Sequence, residues 1–169
     1  MGFTGIEDRL PDKSRLFAML IEKLREDLAA ITGSQRAAQS GATHAEARAE
    51  GPKDMRSTEA SYLARGLAER AEALRCAVAV LEAFVPRVFS ATDVVSVGAL
   101  VLSEDEAAEP SAYLMVPVAG GETLDVAPTP VRTLTPAAPL GRRLVGCAVG
   151  DRLVAPGPAG RELCVVALR

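Results

Sequence analysis

FAMLIEKLREDLAAI, residues 17–31, places Phe17, Ile21, Leu24, Leu28 and Ile31 at successive spacings of 4, 3, 4 and 3. That alternation is the seam of a coiled coil, because residues three and four apart share one face of an α-helix. A second stretch, LARGLAERAEALRCAVAVLEAFV (63–85), carries Leu63, Leu67, Ala71, Leu74, Val78, Leu81 and Val85 in the same manner. The patterns predict helices over about 12–39 and 57–85, each of roughly 28 residues and about 42 Å at 1.5 Å per residue. Pro11 and Asp12 suit the first helix start, where a missing N–H is harmless and an acid meets the positive end of the helix dipole. Two equal helices joined once pair antiparallel, so the reading is a rod with its connection at the far end.

That connection, SGATHAEARAEGPKDMR (40–56), is longer than the two to eight residues usual between paired helices. Gly41, Gly51 and Pro52 are expected to interrupt the helix, and Glu46, Glu50 and Asp54 follow one another at intervals of four. Acids in a loop are commonly just solvated, and Asp54 has a further structural alternative as N-cap of the second helix. His44, alone of its kind, is expected to be an exposed loop residue.

Near residue 86 the composition changes. Pro11 and Pro52 are the prolines before it, whereas Pro86, Pro110, Pro117, Pro128, Pro130, Pro136, Pro139, Pro156 and Pro158 follow. Prolines at this density forbid long helices and punctuate short strands. The runs VVSVGALVL (94–102), AYLMVPV (112–118), DRLVAP (151–156) and ELCVVALR (162–169) predict a small antiparallel sheet. PLGRRLVG (139–146) reads as a short helix entered through Pro139 and closed by Gly146. The fold class is thus α+β: a helical hairpin over 1–86, then a β-rich domain over 87–169.

Charge and composition exclude several functions. The net charge is −3, which disfavours an autonomous duplex binder. Residues 1–90 are balanced at 13 acids and 13 bases, and 91–169 hold nine acids against six bases. Glu104, Asp105, Glu106 and Glu109 form one run that is read as a solvated loop. With no Trp, two Tyr and four Phe, a base-stacking platform is not expected. Cys76, Cys147 and Cys164 are too few and scattered for a disulfide framework or zinc site, and each is read as a small buried hydrophobe. MGFTGIEDRL lacks a signal peptide's basic start and apolar stretch, and no apolar run approaches a membrane span. The expectation is a cytoplasmic protein.

Two motifs carry a resemblance. STEASYLARGLAERAEAL (57–74) is similar to the start of the second hairpin helix of the Gre transcript-cleavage factors of bacteria, GreA and GreB. TPAAPLGRRLVGCAVGDRLV (135–154) resembles their Ser-Pro-Leu-Gly, Leu-Leu-Gly and Val-Gly-Asp signature, with Ala138 where Ser is common. With the strand GALVL (98–102), the resemblance covers nearly the whole chain and marks a divergent member.

The resemblance implies an FKBP-like β domain that docks at the rim of the secondary channel of RNA polymerase. It implies a hairpin inserted into that channel, meeting the RNA 3′ end only inside the polymerase. Tip acids, here Asp54, Glu50 and Glu46, would assist cleavage of backtracked RNA. Asp54 and Glu50 would share a Mg²⁺ with the polymerase, no cofactor being held stably by the free chain. Mg²⁺ takes oxygen ligands and rarely needs a full protein cage, and paired metals stabilise both oxygens of a phosphodiester displacement. The chain would be an accessory factor rather than an enzyme, and a monomer. Arg142 and Arg143, on the short helix, are candidate partner contacts or a solubilising pair. Tyr62 and Leu63 are expected to pack near the distal end.

The family tip pairs an Asp with a nearby Glu. Here Asp54 matches the Asp, while Ser57, or Thr58 with a one-residue insertion, stands at the Glu position. A channel-binding regulator without cleavage activity is therefore an alternative. An FKBP-like prolyl isomerase or chaperone is a third, although Tyr113 is the sole aromatic within 91–169.

Overall fold

The computed structural model describes residues 11–46, 54–157 and 160–169, with side chains described outside 38–61. Two long helices come first, α1 (Lys13–Glu46) and α2 (Asp54–Ala83). A six-stranded sheet follows: β1 (Leu100–Asp105), β2 (Pro110–Met115), β3 (Thr123–Leu124), β4 (Val131–Leu134), β5 (Arg152–Val154) and β6 (Glu162–Leu168). A short helix, α3 (Pro139–Leu144), lies between β4 and β5. By contact density one compact unit takes Met1–Leu20 with Ala83–Arg169, and the other takes Ile21–Glu82.

In the helical unit the seam lies where the heptads place it. Leu24, Ala71 and Leu81 are buried, while Leu28, Ile31, Leu67, Leu74 and Val78 are half-buried. Arg25 Nη2 bridges the helices to Glu82 Oε1 at 2.6 Å. Both side chains are about half exposed, so the pair contributes under about 1 kcal/mol.

Several expectations need correction. α1 runs through Gly41 to Glu46, because one glycine costs only about 1 kcal/mol inside a helix. α2 opens at Asp54 rather than 57, and it stops at Ala83, since Pro86 biases Val85 away from helical ψ. Val85 is consequently 85% exposed, and Phe84 takes the inward position beside Phe17, ring centroids 5.4 Å apart. Tyr62 and Leu63, expected to pack, are 72% and 65% exposed. Cys76 is exposed as well, since the helix turns it away from its apolar sequence neighbours; Cys147 and Cys164 are half-buried.

The first turns of α1 belong to the β-rich unit. Asp12 caps them, its carboxylate accepting from Arg15 N at 3.1 Å. Leu16 and Leu20 are fully buried. Lys13 Nζ donates to the carbonyls of Arg87 and Gly98 and lies 4.7 Å from the Phe89 ring centroid. Burial, then the positive charges of Arg169 and Arg87, hold its pKa below the usual lysine range.

The sheet is mostly antiparallel, as expected, with one parallel pair. In the order β3-β4-β2-β1-β6-β5, all neighbours pair antiparallel except β2 and β4, which run parallel. A parallel pair needs a crossover, and Thr133 locks this one in place. Its Oγ1 donates to Ala119 O at 2.8 Å and accepts from Glu122 N at 3.0 Å. One core cluster unites Val95, Val101, Tyr113, Met115, Leu134, Leu144, Leu163 and Val165. The acidic run spans the end of β1, with Glu104 and Asp105, and the β1–β2 turn, with Glu106 and Glu109: Asp105 Oδ1 accepts from Ala107 N and Glu109 N at 3.0 and 2.9 Å. Asp105 also pairs with Arg161, its own side chain 11% exposed. That acid is structural.

Candidate functional site

The carboxylates singled out by the sequence fall where α1 ends and α2 begins. Glu46 is the last residue of α1 and Asp54 the first of α2; Glu50 lies outside the described residues. An acid at Asp54 meets the positive end of the α2 dipole, so its placement there is favourable without any partner. Ser57 and Thr58 occupy the next turn of α2, and His44 belongs to the last turns of α1. At 1.5 Å per residue α1 rises about 51 Å and α2 about 45 Å. Among the described residues no three His, Cys, Asp or Glu side chains gather to cage a metal. One or two carboxylates lent to a Mg²⁺ held elsewhere need no such cage.

The second sequence motif builds α3 and its approach. Pro139 opens the helix, and Ala138 at the N-cap supplies no side-chain hydrogen bond. Gly141 is buried against the chain that leads into the helix: a Cβ there would sit 2.0 Å from Thr135 O. Gly120 crowds the same residue from another segment, where a Cβ would lie 2.9 Å from Thr135 N. The Thr135 backbone is therefore clasped between two glycines, and this brings Leu144 into the core. The sequence signal for this was the Gly of Pro-Leu-Gly, legible as a motif residue but not as a steric necessity.

Arg142 and Arg143 are both exposed on α3. Arg142 Nη1 donates to Ala137 O at 2.8 Å, so its guanidinium partly tethers the helix entry. The Arg143 carbonyl accepts from Cys147 Sγ at 3.1 Å. Burial, then the nearby Asp151 carboxylate, pushes the Cys147 thiol pKa up, which leaves it an unreactive thiol at neutral pH. Asp151 itself closes the following turn, its Oδ2 accepting from Ala148 N at 2.8 Å. Gly150 adopts φ 96°, a left-handed conformation that favours glycine. The Val-Gly-Asp triplet is thus a built turn into β5.

The assembled molecule is an α+β protein that offers paired helices with carboxylates at their junction and a β-rich unit closed by a glycine-clasped short helix. No family model matches the sequence, and no curated protein matches it. Among solved structures it is similar to GreA factor homolog 1 (Gfh1) of Thermus thermophilus, at 24% identity over 88% of this chain and 94% of that one, with a TM-score of 0.37. Gfh1 of Thermus aquaticus is 22% identical over 90% and 95%, with a TM-score of 0.37. The prokaryotic transcription elongation factor GreA/GreB of Nitrosomonas europaea is 24% identical over 59% and 78%, at 0.36. No helix among the described residues is long and apolar enough to cross a membrane.

Proposed function

We propose that the chain is a divergent Gre-type transcription elongation factor. It binds RNA polymerase as a monomer in the cytoplasm, with the FKBP-like β-rich unit at the rim of the secondary channel and the hairpin inside it. Asp54, Glu50 and Glu46 then stand beside the polymerase active site and assist cleavage of backtracked RNA. Asp54 and Glu50 contribute to a Mg²⁺ that the polymerase supplies. Arg142 and Arg143 face the polymerase, and the chain itself is an accessory factor, not an enzyme.

The observation that carries this reading is the pairing of two helices of 34 and 30 residues whose junction holds the acids. A hairpin this long is more than a fold of this size needs for its own core, and Glu46 and Asp54 stand at the helix ends remote from the Arg25–Glu82 bridge. The Pro-Leu-Gly and Val-Gly-Asp motifs support it, because each fills a defined structural role in the β-rich unit.

A second reading is favoured by Ser57 and Thr58, which stand early in α2 where an acid would complete the tip pair. On it the chain enters the channel and tunes the polymerase without cleavage. One experiment separates them. Stalled elongation complexes with Mg²⁺ are incubated with the protein, with Asp54→Ala and with Glu50→Ala. Shortened, re-extendable transcripts that vanish with either substitution support cleavage. Binding without shortening supports the regulator. Absence of binding refutes both.

A further inference from the structure

The β-rich unit opens into a cleft of about 240 Å³ where strands β2 and β4 begin. Strand register sets Thr123, Arg132 and Tyr113 side by side across β3, β4 and β2. Arg161 reaches the cleft from the segment before β6, held by Asp105 Oδ2 at 3.3 Å and Ser111 Oγ at 3.4 Å. Arg132 differs from it. It is exposed, and its guanidinium makes no hydrogen bond or ion pair among the described residues. Pro110 and Pro130 provide apolar walls.

We propose that this cleft is an interaction site for the carboxylate of a Glu or Asp carried on an extended segment of a partner protein. Arg132 pairs with the carboxylate, and the two prolines lie along the stem of the side chain. Three observations select that occupant. Small-molecule pockets usually run from about 300 to 1,000 Å³; this cleft is smaller and open, the size of one or two side chains rather than a metabolite. Tyr113, the one aromatic among the lining residues, is only 6% exposed, so the cleft offers little ring face on which a nucleobase could stack. Glu106 and Glu109 lie exposed on the adjoining β1–β2 turn, which would repel a polyanion but tolerates one carboxylate in a neutral segment. A guanidinium suits that task, since its planar fork matches a carboxylate in two parallel bonds. The cleft lies at the opposite end of β4 from α3, and the proposal stands whichever protein supplies the segment.

The test uses the full chain, isotope-labelled, and three probes followed by NMR: acetyl-Ala-Glu-Ala-amide, its Gln counterpart and sodium phosphate. The Glu peptide should move the Arg132 side-chain Nε–H and the Thr123 amide. The Gln peptide and Arg132→Ala should each weaken binding about tenfold, the worth of one charge-assisted contact. Arg132→Lys should retain part of it. Four results overturn the proposal: no shift at tens of millimolar Glu peptide, equal binding of the Gln peptide, phosphate as effective as the Glu peptide, or unchanged binding by Arg132→Ala. The Glu-against-Gln comparison needs no variant, so it decides the matter even where a substitution disturbs folding.

Discussion

Replacing glycine by alanine at three positions should move stability in opposite directions, and the geometry fixes each sign. Gly33 and Gly66 lie within α1 and α2, exposed, with nothing inside 4 Å of a Cβ built on either. Alanine there removes the helix-propensity deficit of glycine, a gain of about 1 kcal/mol each. Gly141 is helical too, so it has the same gain available. At that position, however, the new methyl would sit 2.0 Å from Thr135 O and 3.0 Å from Thr135 C, both backbone atoms. Relief requires α3 to back away by more than about 1 Å, which strains the clasp and draws Leu144 out of the core. Overpacking of this kind costs about 1–3 kcal/mol and a partly emptied leucine site about 2 kcal/mol more. Against the gain of about 1, Gly141→Ala should lose about 3 kcal/mol. At roughly 2–4 °C per kcal/mol for a chain of this size, its transition should fall by about 6–12 °C. Scanning calorimetry of the three variants reads the result, since it registers both compact units. A Gly141→Ala protein as stable as the parent, or Gly33→Ala and Gly66→Ala proteins less stable than it, would refute the steric reasoning.

The remaining predictions concern single groups. Ala138→Ser supplies the missing N-cap of α3 and should stabilise the protein by about 0.5–1 kcal/mol in urea unfolding; a loss would show that the α3 entry cannot accept a hydroxyl. Thr133→Val keeps the shape but strands Ala119 O and Glu122 N, so it should cost about 1–3 kcal/mol, with amide exchange rising first in the β2–β4 crossover. The backbone and hydroxyl of Ser90, followed by Arg87, hold the Asp93 carboxyl below its ordinary 3.8. The stability this brings is present above the unfolded pKa and is lost as pH falls through the folded one. The stability difference between the parent and Asp93→Asn should therefore be constant near neutrality and shrink below about pH 4; a difference independent of pH would remove that role. Tyr62→Ala should leave the melting temperature within about 2 °C, because a side chain so exposed contributes little to folding, whereas a fall of several degrees would place Tyr62 in a packed site.

Much of this architecture was legible because two periods are hard to mistake. The seam positions Leu24, Ala71 and Leu81 are buried as their spacing requires, and Pro139 with Gly146 brackets α3 within two residues. What stayed hidden depended on partners distant in sequence. VRTL (131–134) is a central strand, yet Pro128, Pro130 and Pro136 around it mask the alternation, and only pairing with β2 makes it one. β3 is two residues long and exists through β4. The exposure of Val85 turns on where Pro86 stops the helix, while Leu16 and Leu20 are buried because the β-rich unit claims the first turns of α1. At the candidate site, the sequence named the carboxylates and the structure sets two of them at helix ends. It offered no hint of Arg132, whose place beside a cleft needs the register of three strands.

The helical unit is also graded along its length. Near the Arg25–Glu82 bridge Leu24 and Leu81 are fully enclosed, and Ala71, a small residue, marks a close approach further out. Beyond it Leu67 is half-buried, and Leu63 and Tyr62 stand in solvent. A hairpin selected only for its own stability would keep its large apolar side chains inside the seam to the last turn, since each one buried is worth about 1.5–3 kcal/mol. Here the burial is forgone within three turns of Asp54. An exposed Tyr and Leu in the first turns of a helix suit a surface that meets another macromolecule, because aromatic anchors dominate binding once water is excluded from them. Exposed apolar side chains, Tyr62 and Leu63, thus occur in the helix that the proposed function sends into the polymerase.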